Sequence, residues 1–333
     1  MTPRRIFGVE KNYDWGDETV IRSSLGESPT SGTKVAELWC GTHPQGPSHL
    51  DSPNGPLLRD VSGDMNMLVK LLSCQQPLSL QTHPTVSQAR EGFAREEAHG
   101  ISRDAPERMY RDKSDKPEMI VALSRFEALC GFASLEKSID LLSSIGWELA
   151  ARKLNDGGVP SYLEWAFQQT SIPALSDAPE WLSNLVRLYP TDNALFIAPL
   201  LNYVVLNEGD ALSLPAGNLH AYLHGFGLEV MNSSDNVIRA GFTSKHVDVH
   251  ELLQIVDTSP LPEPIERLND NDEFTSPSPA FSIGHISTAN RHIDNHRIVF
   301  GQFSNNPHHE LFFVEAGTQI DVSGARGYVC VQN

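Results

Sequence analysis

Hydrophobic and polar positions change period along this chain, from two to about 3.6 and back to two, and those changes divide it. The first 75 residues form short alternating stretches broken by glycine and proline. VAELWC ends against Gly41, Pro44, Gly46 and Pro47, which predicts a strand followed by a loop. Trp15 and Trp39 read as core or cleft-wall aromatics, and His43, between Thr42 and Pro44, as an exposed loop residue. MNMLVKLLS is a nearly continuous apolar strand interrupted by Lys70, which either reaches the rim or faces a polar site. In PLSLQTHP, Leu78, Leu80 and Thr82 alternate with Ser79, Gln81 and His83, so the last three share one strand face. Pro84 ends that strand, because proline cannot donate to the ladder. From Thr85 to Gly100 the period becomes helical, with Val86, Ala89, Phe93 and Ala94 on one side and Gly100 at the stop. A polar loop follows to Ser114. Asp115-Lys116-Pro117-Glu118 then opens the apolar strand MIVAL, with Lys116 and Glu118 on one face.

Residues 134–189 keep the helical period. Ser134 is expected to cap a helix carrying Leu135, Ile139, Leu142 and Ile145 and closed by Gly146. Ser161 with Glu164, and Asp177 with Pro179 and Glu180, predict two further helix starts. Their tryptophan and leucine stripes read as core. After Pro190 the alternation returns, with a Gly209-Asp210 turn, Leu212 and Leu214 in phase, a Pro-Ala-Gly turn and then His220. LEVMNSSDNVIRAGF places Glu229 and Arg239 on either side of a polar turn. Residues 259–275 are rich in Pro, Asp and Asn and read as a linker. The tail from Ala280 is again β-type and stops in mid-pattern at Asn333. The expected organisation is a discontinuous β domain (1–133 and 190–258), a helical domain (134–189) with the 85–113 excursion packed nearby, the linker, and a C-terminal β unit (276–333) that looks incomplete.

Composition narrows the function classes. With 333 residues, 40% hydrophobic and 20% charged, the chain can bury a large core. A formal net charge of −17 argues against nucleic acid or an anionic membrane as the main partner. Four widely spaced cysteines without a C-x-x-C pair fit reduced thiols. The N-terminus lacks a secretory apolar region, and FIAPLLNYVVL is too short and interrupted to span a bilayer. A soluble, cytoplasmic monomer is expected.

A strand face carrying Ser79, Gln81 and His83 is a poor core face, because each buried polar group needs a partner. A satisfied polar pair at a strand end is the plainer reading, and a metal ion is the other. The stretch G209-x5-P215-x-G217-x2-H220 is similar to the second signature of the cupin double-stranded β-helix, in which turn glycines let the strand fold over the barrel mouth and aim its histidine inward. The first such signature is normally H-x-H followed by glutamate. Here Gln81-Thr-His83 supplies the pair, and the glutamate is delayed to Glu118. Two imidazoles (His83, His220), one carboxylate (Glu118) and one amide oxygen (Gln81) form a donor set suited to Zn²⁺ with an open position.

QPLSLQTHP, DKPEMIVAL with LCGF beyond it, LPAGNLHAYL and SDNVIRAGF together resemble the type I mannose-6-phosphate isomerase (phosphomannose isomerase) family, as do NYDWG and AELWCGTHPQGPS. The resemblance runs to about residue 250 and weakens beyond. It implies a mainly β protein with an α-helical domain: a cupin-type jelly-roll catalytic domain and a second, C-terminal cupin-like unit. It also implies one Zn²⁺ held by Gln81, His83, Glu118 and His220, an essential Arg239, and conversion of D-mannose 6-phosphate to D-fructose 6-phosphate.

Such an isomerisation needs a base, charge stabilisation on two sugar oxygens and a grip on the phosphate. Arg239 offers a planar fork. The base is either Lys116, on the face of Glu118, or Glu229, whose carboxylate burial would raise toward neutrality; the first is preferred. Ser79, Lys70 and Lys245 are candidate phosphate contacts, each with a rim role as the plainer reading. Two other classes stay open. A cupin metal oxygenase would favour Fe(II), for which Gln81 is an odd ligand. A sugar-phosphate sensor would bind zinc and ligand without turnover.

Overall fold

The computed structural model describes residues 2–303 and 306–333. It is mainly β-sheet, with helices gathered on one side. Among the described residues, eleven strands are linked around one long central strand, His220–Asn232. The second half of that strand pairs antiparallel with Met67–Cys74 on one side and Glu118–Ala122 on the other. Glu37–Cys40 and Val9–Lys11 extend the sheet beyond the first, and Ala211–Leu214 and Ile265–Glu266 beyond the second. Its first half pairs instead with Leu80–Thr82 and Phe126–Phe132, which carry Ile238–Gly241 and Leu201–Leu206. The strand therefore belongs to both walls, and the register shifts between Tyr222 and His224. Gly225 sits at the bend with φ +135°, where an added Cβ would lie 2.7 Å from the Phe126 ring and 2.8 Å from the Arg125 carbonyl oxygen.

Period-two alternation explains the near-continuous apolar strand. Met67, Val69 and Leu71 join a core shared with a second sheet, whereas Leu68, Lys70 and Leu72 face a cleft. The neighbouring strands do the same, sending Leu38, Leu228 and Val230 outward and Trp39, Glu229 and Met231 inward. The outward side packs on the C-terminal sheet through Phe281, Ile283, Ile298, Phe300 and Phe313. That sheet is where a sequence boundary needs correcting. Its strand order ends in Arg4–Phe7 and His49–Leu50, so two pieces of the expected 1–133 unit lie in it. A four-residue strand carries no local sign of which distant edge it will pair with. The 259–275 stretch, expected as a linker, is laid against the large sheet: Ile265–Glu266 pairs with Ala211 and Leu212, and the Leu261 amide donates to the Phe132 carbonyl.

The helices cover the opposite wall. Val86–Ala98 opens with a reciprocal Thr85/Gln88 capping box and ends before Gly100, which takes φ +70°. Leu135–Ser144 is capped by the Ser134 side chain, and Leu142 is buried. Glu148–Ala166 runs through a kink at Gly158, after which Pro160 begins the second limb; Ser161 lies inside the helix rather than capping it. Glu180–Leu188 starts from Pro179 with no side-chain cap, and Asp177 turns away at φ +48°. Leu154, Leu163, Leu182, Phe196 and Trp147 pack with Leu80, Leu129, Ile238 and Ala240 from the sheet. No helix among the described residues is long and apolar enough to cross a membrane. The four cysteines are buried and unpaired.

Candidate metal centre

Three strands bring three titratable groups together beside the cleft, which Glu118 lines. His83 follows Leu80–Thr82, Glu118 begins its strand, and His220 begins the central one. Their ligand atoms all lie within 4.8 Å of one another. His83 Nε2 is 3.4 Å from Glu118 Oε1, and His220 Nε2 is 3.6 Å from Glu118 Oε2. Both imidazoles are oriented by backbone carbonyls: His83 Nδ1 donates to Asn236 O at 2.8 Å, and His220 Nδ1 to Asn218 O at 3.1 Å. A carbonyl only accepts, so each Nδ1 carries the proton and each Nε2 keeps its lone pair. Both Nε2 atoms are buried without a hydrogen-bond partner. Burial, with Lys116 next in effect, pushes the His83 pKa down to about 4, so the ring is neutral at pH 7. Burial favours a protonated Glu118, but Lys116 and the two histidines overcome it and hold the carboxylate well below its usual range. Two neutral nitrogens and an ionised carboxylate converging without partners form a donor set that fits a divalent cation.

The loop holding His220 is built by Gly217, at φ +81°, whose amide donates 2.8 Å to the His83 carbonyl. Gln81 stands opposite His220 on one side and Arg239 on the other in the strand ladder, so the three side chains share a face. Ser79 Oγ donates to Gln81 Oε1 at 3.0 Å. Asn236, fully buried, accepts from the Arg111 and Asp112 amides and donates to the Ser114 carbonyl. It ties the loop ahead of Lys116 to the turn that orients His83.

Above the cluster opens a cavity of about 240 Å³. The other candidate site residues all line it: Lys70, Ser79, Gln81, Lys116, Glu229, Arg239 and Lys245. Lys116 Nζ is 2.8 Å from Glu118 Oε1. Lys70 is placed differently from the rim position considered for it. It is buried, with Nζ 2.8 Å from Glu229 Oε2 and 3.8 Å from Glu37 Oε1. Burial opposes its charge, but Glu229 and Glu37 raise its pKa well above that of an ordinary lysine. Burial, with Glu118 and Glu37 nearby, lifts Glu229 above the ordinary carboxylate range despite Lys70. Glu229 also accepts from Tyr222 Oη at 2.9 Å.

His43 corrects the sequence reading: it is 5% exposed, edge-on to Trp39, with Nε2 3.4 Å from Asp235 Oδ2. The turn carrying Asp235 folds over it, a contact across 192 residues that no local pattern announces. Glu37, Arg111 and Tyr222 also line the cavity and were not singled out. For Glu37, the alternation with Trp39 was the available signal.

Residues 5–135 match the family model for the phosphomannose isomerase type I catalytic domain. The chain is 34% identical over 287 residues to a mannose-6-phosphate isomerase of Escherichia coli, covering 75% of this chain and 73% of that protein. It is 33% identical over 316 residues to mannose-6-phosphate isomerase 1 of Arabidopsis thaliana, covering 76% and 70%. The fold superimposes with a TM-score of 0.81 and 27% identity on a crystal structure of zinc-bound mannose 6-phosphate isomerase, covering all of both chains.

Proposed function

The chain belongs to the type I phosphomannose isomerase family, and we propose that it interconverts D-mannose 6-phosphate and D-fructose 6-phosphate at the His83–Glu118–His220 cluster. We read the two walls folded about the central strand as a cupin-type jelly roll. One zinc ion would be held by His83, Glu118, His220 and the amide oxygen of Gln81. The observation that carries this reading is the pair of buried Nε2 lone pairs, unpartnered and converging on one ionised carboxylate. Bound there, zinc supplies Lewis acidity toward the sugar oxygens without redox chemistry.

The remaining steps fall to side chains of the cleft. In its deprotonated form Lys116 takes the C2 proton of the aldose and, after exchange of its amine protons with solvent, delivers a proton to C1, while the O2 hydroxyl proton passes to O1. Arg239, one strand from Gln81, meets the charge that develops on the two oxygens. Glu229, held between Lys70 and Tyr222, is the second candidate for the proton transfer. Ser79 and Lys245 stand as substrate contacts along the cleft. Lys70, its charge already met by two carboxylates, serves to hold Glu229 in place. Action as a monomer is part of the same reading.

Metal analysis is expected to return about one zinc per chain, as a single catalytic site requires. A coupled assay on mannose 6-phosphate should lose turnover on chelation and regain it with added zinc. Full turnover by zinc-free protein carrying stoichiometric iron would overturn the reading.

A further inference from the structure

Six cations line the cleft: Lys70, Arg108, Arg111, Lys116, Arg239 and Lys245. Three already face carboxylates: Lys70 with Glu229, Arg108 with Glu96 and Lys116 with Glu118, each at 2.8 Å. Among the described residues, Arg111, Arg239 and Lys245 form no ion pair. Asp235 lies in the same region, with Oδ2 3.4 Å from His43 Nε2. The three free cations feel one another. Burial first, then the Arg111 charge, holds Arg239 below the usual arginine range. Burial, then Arg239, then Arg111 do the same to Lys245. Glu37 offsets part of the Lys245 charge and Asp235 feels that of Arg111, but like charges gathered without a paired carboxylate still carry mutual repulsion that a dianion entering the cleft would relieve.

Their places in the fold divide the work. Arg239 faces Gln81 across the ladder, at the metal end. Lys245 lies in the loop after Ile238–Gly241, its backbone end exposed and its Nζ reaching to 6.0 Å from the centre of the Tyr13 ring, which also lines the cleft. Arg111 is fixed through its backbone, its amide donating 2.7 Å to Asn236 Oδ1, while the Asn236 carbonyl holds His83. Its free guanidinium thus starts from a point tied rigidly to the metal cluster. We propose that Arg111 is a specificity-determining residue: with Lys245 it receives the phosphate dianion of the substrate at the outer cleft, which leaves Arg239 for the sugar oxygens. The planar fork suits two phosphate oxygens at once, which a lysine alone cannot match. This assignment rests on the isomerase reading and names the residue that makes the site select phosphorylated sugars.

The test uses zinc-loaded, full-length protein and its Arg111→Gln and Arg111→Lys variants. Sorbitol 6-phosphate, which has no carbonyl and cannot isomerise, reports binding by calorimetry; mannose 6-phosphate reports turnover. Arg111→Gln is expected to weaken sorbitol 6-phosphate binding about 10- to 100-fold, the loss of one charged hydrogen-bonding group. KM should rise in step, with kcat within about twofold and zinc content unchanged. Arg111→Lys should recover part of the binding. Unchanged Kd and KM in Arg111→Gln, with wild-type turnover normal, would overturn this proposal and leave the isomerase reading standing. Arg111-dependent binding of sorbitol 6-phosphate by a wild-type protein that does not turn over mannose 6-phosphate would do the reverse.

Discussion

Lys70 puts a full charge inside the molecule, 5% exposed, between Glu229 and Glu37. A buried cation of this kind contributes little net stability while paired, but removing it strands two carboxylates away from water. Lys70→Met should therefore cost about 3–5 kcal/mol, measurable as a lowered urea midpoint with an unchanged slope. An unaltered midpoint would mean that Glu229 takes up a proton and is content alone. The sequence left Lys70 either at the rim or facing a polar site, as a candidate phosphate contact, and named no partner for it. Its partner Glu229 is 159 residues away, and only the register of the central strand against Met67–Cys74 sets the two side by side.

At the scale of elements, the polar turn between Glu229 and Arg239 does more than reverse the chain. Its Asn236 holds the Arg111–Ser114 loop with the side chain and His83 with the backbone carbonyl. Asn236→Ala keeps the second contact and loses the first. Zinc affinity should fall about 10- to 100-fold, the usual effect of removing an outer support of a metal ligand, with the fold intact. Competition with a chromophoric chelator measures it, and an affinity equal to wild type would show that the loop holds itself. Much of the site was legible because its signals are local. Gln81 and His83 sit two apart on a strand, Glu118 opens another, and Gly217 precedes His220 by three residues. Ser134 and Thr85 announced their helices by capping chemistry. Ser161 and Asp177 carried similar signals but lost to Pro160, which opens the limb after the Gly158 kink, and to Pro179, which stands at the N-cap immediately before Glu180. His43 and Arg111 were illegible because their surroundings come from the distant 234–236 turn.

The whole molecule is two sheets sharing one apolar layer, and the chain's first strand helps close the far sheet against its last ones. Deleting residues 276–333 would uncover Val69, Leu71, Met119, Val121, Leu228 and Val230 and leave Arg4–Phe7 without its partner. Six such side chains represent on the order of 10 kcal/mol of burial, comparable with the whole stability of a domain. The truncated protein should aggregate and bind a hydrophobic dye; a monodisperse, dye-silent product would contradict this packing role. Among the described residues, the three candidate metal ligands all come from the larger sheet and its loops. The chemistry proposed for the zinc cluster is proton transfer between C2 and C1 of a sugar phosphate. Proton NMR of mannose 6-phosphate in D2O, with zinc-loaded wild-type and Lys116→Met proteins, tests it most directly. Wild type should produce fructose 6-phosphate with solvent deuterium entering at C1, Lys116→Met should show neither product nor exchange, and chelation should silence the wild type. Wild-type protein with its zinc in place that leaves mannose 6-phosphate unchanged and undeuterated would contradict the account.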